Sequence, residues 1–579
     1  MNHKQNFWSH YIFSMDHKMI GKQYLFATII MAIAGGVLSL LFRIQLANSG
    51  GETSKLIELF AGKWGEGGVL KPESYLAMIT MHGTIMVFFV LTAGLIGIFA
   101  NYLIPLQLGT RDMASPLLNM LSFWTFALSS FIMLFSMFVE SGAASAGWTV
   151  YPPLSIFKGA IPGSGMGMTL WLISMAFFIV STTMGSLNYV TTIINFRAVG
   201  MTLFRMPFLQ WTIFLASILG LLTFPVLFGG ALMMIFDRMF GTGFLFPKGL
   251  FIAGKVVAGG SGSPLLWQHI LWYLGHPEVY IVLLPALGIV AEVLTTHARK
   301  PLFSYKLSVW NIILLSVLSI IVWGHHMFQS GMNPVLGEIF TITTLMISMP
   351  TAIVLLNLLL TLWKGNIHFT PPMLFGIGFI ALFIPGALTG PFLASSTMDI
   401  QFHNTYFVVA HFHFTMATSS FFALFAGIYH WFPKMFGRVL NSSLGYIHFW
   451  ISFIGSYCIF FPMFTLGISG VPRRYYGFGE FDYIPKSLQG MNEFITIVTI
   501  VVFCAQLLFL LNFFYNMFFG KKSEINPWES NTLEWTLDNP GHGNWNGKLP
   551  AVFRGPYEYS KPGVLKDYSP QDVEEEVRG

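Results

Sequence analysis

The amino-acid sequence predicts an all-α integral membrane protein with about twelve transmembrane helices. Of its 579 residues, 54% are hydrophobic and 9% are charged, whereas a typical soluble chain carries roughly 25% charged residues. The apolar residues form about twelve runs of about 20 residues, the length that spans a bilayer as a helix. No polar or glycine-rich linker separates these runs before residue 521, so we expect one large membrane domain.

The positions of the apolar runs divide the chain into three parts. Residues 1–22 form a polar leader, residues 23–520 the membrane domain, and residues 521–579 a polar C-terminal extension. The leader has no small-residue cleavage site, which indicates an internal anchor rather than a removed signal peptide. The runs begin near Gln23, Ser74, Ser115, Met166, Arg205, Leu265, Tyr305, Leu336, Thr370, Thr405, Leu444 and Asn492.

The distribution of Lys and Arg indicates how the protein lies in its membrane. Twelve spans put both termini on the same side, and the loops of that side carry a moderate excess of Lys and Arg. The positive-inside rule therefore predicts cytoplasmic termini. The net charge of +5 is small for this length and no basic face is present, so we expect no nucleic-acid partner.

Six histidines within the apolar runs are the residues most informative about function. Ionisable groups inside a membrane are energetically costly, and they mark functional sites. Counting about 1.5 Å of rise per residue from the start of each run places all six at one depth, in the half away from the termini. They are His82, His276, His325, His326, His411 and His413. Three other histidines fit no ligand role: His269, His430 and His448.

The spacing of His411 and His413 predicts two separate metal centres. Residues two apart project about 200° apart on a helix, so the two side chains cannot easily bind one metal ion. His82, at the same depth on another helix, suits the opposite axial position of a six-coordinate heme that one of them holds. The other histidine then holds a heme with an open face. The spacing leaves open which of the two pairs with His82.

The other three histidines predict a third centre. His325 and His326 can reach one ion only where their helix is distorted, and with His276 they make three imidazoles, a set that suits copper. Tyr280 shares a helix face with His276, so we interpret its phenol as a proton and electron donor beside the metal. Glu278 places a carboxyl in the middle of the membrane. The predicted fold is therefore a twelve-helix bundle around two hemes and a copper.

Five long motifs carry a resemblance to a known family. They are WTVYPPL at 148–154, GHPEVY at 275–280, WGHHMF at 323–328, VAHFH at 409–413 and PRRY at 472–475. With them the chain resembles, over nearly its whole length, subunit I of the heme-copper oxygen reductases, the type that contains cytochrome c oxidases. The resemblance implies the catalytic subunit of a terminal respiratory oxidase that reduces O2 to water and translocates protons.

The resemblance also assigns roles to the candidate residues. It implies that His82 and His413 bind the low-spin heme iron, and that His411 binds the high-spin heme iron. His276, His325 and His326 then bind the copper, and Tyr280 is covalently linked to His276. Residues expected near the hemes are Arg43, Trp148, Trp272, Arg473 and Arg474, and the last two suit the heme propionates. His403 and Asp399 match the region of a magnesium ion.

Polar residues within the apolar slab match the family's D-type proton channel. Each is costly in lipid and can hold water, so together they can conduct protons from the inner surface toward the copper. They are Asp112, Asn119, Ser181, Thr182, Asn188 and Glu278.

Two departures from the family pattern concern protons and magnesium. Val354 stands where the family's second proton route has a lysine, and Ala291 stands where a serine is common. Either the protons of the reductive half-reaction arrive another way, for example through Thr351 and Glu292, or that half of the cycle is altered. Asn404 replaces a carboxylate expected beside His403, which makes the magnesium site less anionic.

The resemblance further implies a substrate, cofactors, partners and a location. The substrate is O2, the hemes are of the a type, and the partners are oxidase subunits II and III. The location is the lipid of a bacterial inner (plasma) membrane. Electrons come from cytochrome c, or a quinol-cytochrome c reductase, through a dinuclear-copper subunit. The alternatives are a quinol oxidase, and a nitric oxide reductase of the same superfamily, against which Tyr280 and the D-type residues argue. The alternative from another class is a cofactor-free transporter or assembly subunit.

Overall fold

Twelve long apolar helices make up most of the part of the chain that the structure describes. The computed structural model describes residues 7–48, 53–139, 142–160, 164–252, 254–257, 259–477, 481–538 and 543–574. Twelve helices in these ranges are long and apolar enough to cross a membrane, which confirms the predicted fold class. They are His17–Ala47, Pro72–Leu108, Pro116–Phe135, Met166–Asn195, Phe208–Phe240, Pro264–Ala298, Tyr305–Met327, Pro334–Leu362, Pro371–Ala394, Tyr406–Phe436, Ser442–Ile468 and Leu488–Phe519.

The first helix begins at His17, whereas the sequence places its start near Gln23. Asp16 caps the helix, because its side chain accepts a hydrogen bond from the Lys18 amide at 2.8 Å. Burial opposes ionisation of Asp16, but the neighbouring His17 and Lys18 lower its pKa to about 2. The last residues of the predicted leader therefore belong to the first membrane helix, and residues 1–6 lie outside the described ranges.

Several spanning helices change their winding beside the histidines. A π-helical segment, Ile85–Ile98, begins soon after His82 in the second helix, and another, His413–Thr418, interrupts the tenth. The seventh helix ends in a tight turn, Trp323–Met327. Such departures from α-helical geometry are frequent at functional sites, because they change the direction in which side chains project.

The described segments before, between and after the spans hold only short elements. The helical ones are Trp8–Ile12, Lys55–Phe60, Gly62–Trp64, Leu203–Arg205, Ser396–Phe402, Leu533–Trp535 and Trp545–Gly547. Two antiparallel hairpins pair Gly65–Glu66 with Val69–Leu70 and Phe251–Ile252 with Lys255–Val256.

The sixth helix, Pro264–Ala298, is the centre of the bundle. In its most apolar segment 94% of the residues are buried, against 22% in the twelfth helix. His276, Glu278 and Tyr280 all lie on this helix. Its polar groups therefore face protein rather than lipid, which is where ionisable groups in membrane helices are tolerated.

The C-terminal extension packs across the end of the bundle at which the chain begins, and we call this end the terminal side. Lys18 donates a hydrogen bond to Asn544 at 2.8 Å. Arg299, at the end of the sixth helix, donates to both carboxylate oxygens of Asp567, at 2.5 and 2.7 Å. These bonds lower the pKa of Asp567. Residues 539–542 and 575–579 of the extension lie outside the described ranges.

Candidate functional site

Three imidazoles meet in the interior of the bundle. Ring nitrogens of His276, His325 and His326 all lie within 4.8 Å of one another. The ring centroids of His276 and His325 are 4.6 Å apart, with the ring planes at 87°. Three convergent imidazoles without a carboxylate among them match the ligand preference of copper.

The tight turn Trp323–Met327 brings the two adjacent histidines together. A regular α-helix would direct them about 100° apart, but in this turn their ring centroids lie 4.1 Å apart. Thr344 Oγ1 is 3.1 Å from Nδ1 of His325, and the indole of Trp272 stacks on His326 at 3.9 Å. A neighbouring helix therefore fixes the orientation of each ring.

The cluster contains buried nitrogens that a metal ion would satisfy. Both ring nitrogens of His276 and Nε2 of His326 have no hydrogen-bond partner within the part of the chain that the structure describes. A buried polar group left unpaired costs about 1–3 kcal/mol, whereas a copper ion would accept the lone pair of one nitrogen from each ring. The phenol ring of Tyr280 lies 4.8 Å from the His276 ring, so it stands beside the same position.

The remaining three histidines are oriented through their Nδ1 atoms. Nδ1 bonds the carbonyl of Gly35 in His82 at 2.9 Å, of Gly386 in His411 at 3.0 Å, and of Val409 in His413 at 2.8 Å. A carbonyl on Nδ1 fixes the proton there and leaves Nε2 as the metal-binding atom. His413 lies close enough to His82, and His411 to His325, for each pair to interact electrostatically.

Two tryptophans connect this region to the loop of the WTVYPPL motif. The rings of Trp148 and Trp272 are perpendicular, with centroids 5.6 Å apart. Trp272 also donates a hydrogen bond to the phenol oxygen of Tyr151 at 2.7 Å. Gly147 has φ of 74°, and a Cβ at that position would lie 2.8 Å from a guanidinium nitrogen of Arg474. This glycine therefore allows Arg474 to approach the tryptophan pair.

The three arginines predicted near the cofactors carry positive charges and hydrogen-bond donors that favour an anionic partner. Burial and the charge of Arg474 lower the pKa of Arg473 to about 9, so an anionic group bound beside the pair would be stabilising. Arg43 donates to the backbone oxygen of Asn492 at 3.0 Å. Its Nε and Nη1 atoms are buried and have no partner among the described residues. These features fit the polar edges of two hemes.

In the region matched to magnesium, the predicted residues bond one another or Arg473. His403 and Asp399 bond each other at 2.9 Å, and Oδ1 of Asn404 accepts two hydrogen bonds from Arg473, at 2.9 and 3.1 Å. Magnesium prefers carboxylate and water oxygens. The Asp399 carboxylate fits this preference, whereas the Asn404 amide adds no negative charge, so the magnesium ion stays a prediction.

Glu278 is connected to the second helix. Thr92 Oγ1 donates to Oε1 of Glu278 at 2.5 Å, and Oε2 is buried with no partner in the described ranges. Thr92 lies in the π-helical segment Ile85–Ile98. It is an isolated hydroxyl in an apolar run, a signal that the sequence analysis missed.

An internal cavity links Thr92 to two residues of the predicted proton route. Ser181, Thr182 and Thr92 all line it, together with Tyr24, Ser186 and Tyr189. It offers about 30 Å³ that a water molecule can occupy, and one water needs about 10–15 Å³. The cavity can therefore hold water next to the partner of Glu278.

The predicted route continues from the cavity toward the terminal side. Asn119 is fully buried, and neither atom of its amide has a partner among the described residues. Asn188 exchanges two hydrogen bonds with the backbone of Ser115, at 2.9 and 3.0 Å. Asp112 lies in the loop before the third helix, where its carboxylate accepts a hydrogen bond from the Met113 amide at 2.7 Å.

The residues of the second predicted route have separate partners. Val354 is 2% exposed. The hydroxyl of Thr351 donates to Ile347 of its own helix at 2.9 Å. Glu292 instead accepts hydrogen bonds from Tyr557 and from the Leu209 amide.

The three histidines without a predicted ligand role have hydrogen-bond partners. His269 accepts from Trp323 at 3.4 Å. His430 bonds His297 at 3.2 Å, and His448 bonds Gln506 at 3.1 Å. They differ in this from the unpaired nitrogens of the cluster.

Comparison with known sequences identifies the family. The sequence model described as Cytochrome C and Quinol oxidase polypeptide I matches residues 19–507. The chain is 47% identical over 572 residues to the alternative cytochrome c oxidase subunit 1 of Bradyrhizobium diazoefficiens, covering 98% of this chain and 94% of the relative. It is 39% identical over 568 residues to cytochrome c oxidase subunit 1 of Synechocystis sp., covering 98% and 96%.

Comparison with solved structures supports the fold. A heme-copper terminal oxidase dimer determined by cryo-electron microscopy matches with a TM-score of 0.70 over 88% of this chain and 85% of that one. The sequence identity is 17%.

Proposed function

Because the chain belongs to the family of heme-copper oxygen reductase subunits I, we propose that it is the catalytic subunit of a terminal respiratory oxidase coupled to proton translocation. One observation carries the proposal: His276, His325 and His326 converge within 4.8 Å, and Tyr280 stands beside them. Three imidazoles that can bind a copper ion, with an oxidisable phenol beside them, suit the reduction of O2 to water in a single site.

The histidines of the bundle would hold the cofactors. His82 and His413 would bind a low-spin heme, His411 a high-spin heme, and His276, His325 and His326 a copper ion. When bound, two hemes of the a type and the copper would supply electron transfer and the reduction of O2. Arg473 and Arg474 would hold the propionates, while Arg43, Trp148 and Trp272 would orient the hemes.

The chain's own contribution to the reaction is the control of protons. Tyr280 supplies a proton and an electron beside the three histidines. Glu278 receives protons through the cavity lined by Ser181 and Thr182, which can hold water. Asp112, Asn119 and Asn188 deliver protons to this cavity from the terminal side. Thr92 orients the carboxyl of Glu278 by its hydrogen bond. Thr351 contributes a further hydroxyl on the eighth helix, although its partner lies within that helix.

The remaining features of the proposal concern electrons, partners and location. Electrons reach the chain from cytochrome c, or a quinol-cytochrome c reductase, through the dinuclear copper of subunit II, and subunit III completes the complex. The chain is an integral membrane protein, and we place it in a bacterial plasma membrane with the terminal side in the cytoplasm. The names of its relatives favour cytochrome c over quinol as donor.

Measuring two substrates on one purified sample tests the proposal. The complex should show heme absorption bands and should consume O2 much faster than nitric oxide. Faster turnover of nitric oxide would instead identify a nitric oxide reductase, and a sample without heme bands would contradict any oxidase function. Activity with quinol but not with reduced cytochrome c would overturn the assigned donor.

A further inference from the structure

A second carboxyl of the sixth helix, Glu292, lies outside the predicted proton route that leads to Glu278. Glu292 is about 21 Å nearer the terminal side than Glu278 along the helix axis, and it is 3% exposed. Buried ionisable residues in spanning helices are functional candidates, because desolvation makes their charge costly.

Glu292 is held by the C-terminal extension and by the start of the fifth helix. The phenol of Tyr557 donates a hydrogen bond to Oε1 of Glu292, and the Leu209 amide donates to the same oxygen at 3.3 Å. The Phe208 amide in turn donates to the phenol oxygen of Tyr557 at 2.6 Å. Since the fifth helix begins at Phe208, its partial positive end lies beside the carboxyl.

The other titratable groups around Glu292 do not neutralise it. Glu534 of the extension interacts with it unfavourably, and the ring of Tyr305, from the seventh helix, lies 5.9 Å from that of Tyr557. Lys434, from the tenth helix, donates to the Leu537 carbonyl at 2.7 Å. Burial and the nearby Glu292 raise the pKa of Tyr557 well above its usual range, so its phenol remains a donor.

These contacts stabilise two states of the carboxyl. The phenol, the amide and the helix end favour the ionised form. Burial favours the protonated form, since no Lys or Arg of the described residues forms an ion pair with Glu292. We propose that Glu292 is a proton-accepting residue, and Tyr557 its positioning residue, in a site that loads from the terminal side when electrons enter the metal centre. The inference rests on the proposed oxidase function.

The proposed step is a proton transfer only. The Glu292 carboxylate binds one proton from the aqueous phase of the terminal side and later releases it, and no other bond changes. The electrons come from the donor of the oxidase. Tyr557 keeps its own proton throughout and only orients the carboxyl. The C-terminal extension is then a part of the proton pathway as well as a structural cap.

Infrared difference spectroscopy on the complete oxidase tests the site. The reduced-minus-oxidised spectrum of the wild type should contain the C=O stretch of a newly protonated carboxyl. Glu292→Gln should remove this band and slow oxygen consumption roughly tenfold or more, with normal heme absorption. Tyr557→Phe should keep the band but shift it to higher frequency, because the carboxyl loses its phenol partner.

Tyr559→Phe is the matched control, since Tyr559 is an equally buried tyrosine of the extension that bonds Thr296 at 3.0 Å rather than a carboxyl. It should leave the band unchanged. If Glu292→Gln does not assemble, the shift in Tyr557→Phe decides. A band unaffected by Tyr557→Phe, or normal turnover of Glu292→Gln, would overturn the inference while the proposed function stood. A wild type without oxygen consumption would instead overturn the proposed function.

Discussion

Two ways from the terminal side toward the three-histidine cluster differ in their polarity. The polar approach consists of Asp112, Asn119, Asn188, the cavity lined by Ser181 and Thr182, and Glu278. The apolar approach follows the eighth helix past Val354, which is 2% exposed, to Thr351. Water needs polar partners and space inside a protein, and the first approach has both. Under the proposed function, proton access in this chain would therefore depend on the polar approach and on groups outside the eighth helix.

The largest effect is expected at the end of the polar approach. Glu278→Gln keeps the shape of the side chain but removes the proton that it carries, so oxygen turnover should fall roughly 100-fold and proton pumping should be lost. Oxygen consumption and proton release from vesicles measure the two effects. Glu338→Gln, an exposed position on the eighth helix, is the control. Pumping like that of the wild type would remove Glu278 from the route.

A smaller effect is expected at the beginning of the polar approach. Asp112→Asn removes a negative charge that attracts protons to the loop before the third helix, so turnover should fall about tenfold. Glu524→Gln, an exposed carboxyl of the terminal side, should have no effect. Equal turnover in both variants would mean that protons enter elsewhere.

The hydroxyl that links the cavity to Glu278 should matter less. Thr92→Val preserves the volume but removes the hydrogen bond, which is worth about 1 kcal/mol, so turnover should fall about fivefold. Thr125→Val removes a hydroxyl that bonds Leu121 on an exposed face of the third helix and should not change turnover. Identical rates for the two variants would show that Thr92 does not orient the carboxyl.

The smallest effect on turnover is expected in the apolar approach. Val354→Lys should not raise turnover, because no described partner stabilises a charge there, but it should lower the free energy of unfolding by about 2.5–3.5 kcal/mol. Val354→Met is the control for size. Thermal denaturation and oxygen consumption measure both outcomes, and an increase in turnover would show that the eighth helix carries protons.

Much of the site could be predicted from residue types and spacing. Burial depth and adjacency were enough to group His276, His325 and His326, since three ionisable rings inside an apolar bundle need a common reason. The structure adds the tight turn Trp323–Met327, which lets neighbouring rings converge. The adjacent histidines predict a distorted helix, but the form of this turn could not be predicted because tertiary packing determines it.

Other features depend on contacts between distant parts of the chain. Tyr557 and Glu292 are 265 residues apart, and no local pattern pairs a tyrosine of a polar tail with a membrane carboxyl. The partnership of Thr92 with Glu278 depends on the π-helical segment Ile85–Ile98, whose register cannot be read from apolar periodicity. The amide of Asn404 bonds Arg473, which the sequence alone does not indicate.

The copper content of the purified complex tests the central claim most directly. His276→Ala should lower the ratio of copper to heme by one copper ion per two hemes and should abolish oxygen consumption, because one of three ligands is removed. His269→Ala, on the same helix but bonded to Trp323, should leave both quantities unchanged. An unaltered copper ratio in His276→Ala, with oxygen consumption intact, would contradict the assignment of the three-histidine cluster as the oxygen-reducing centre.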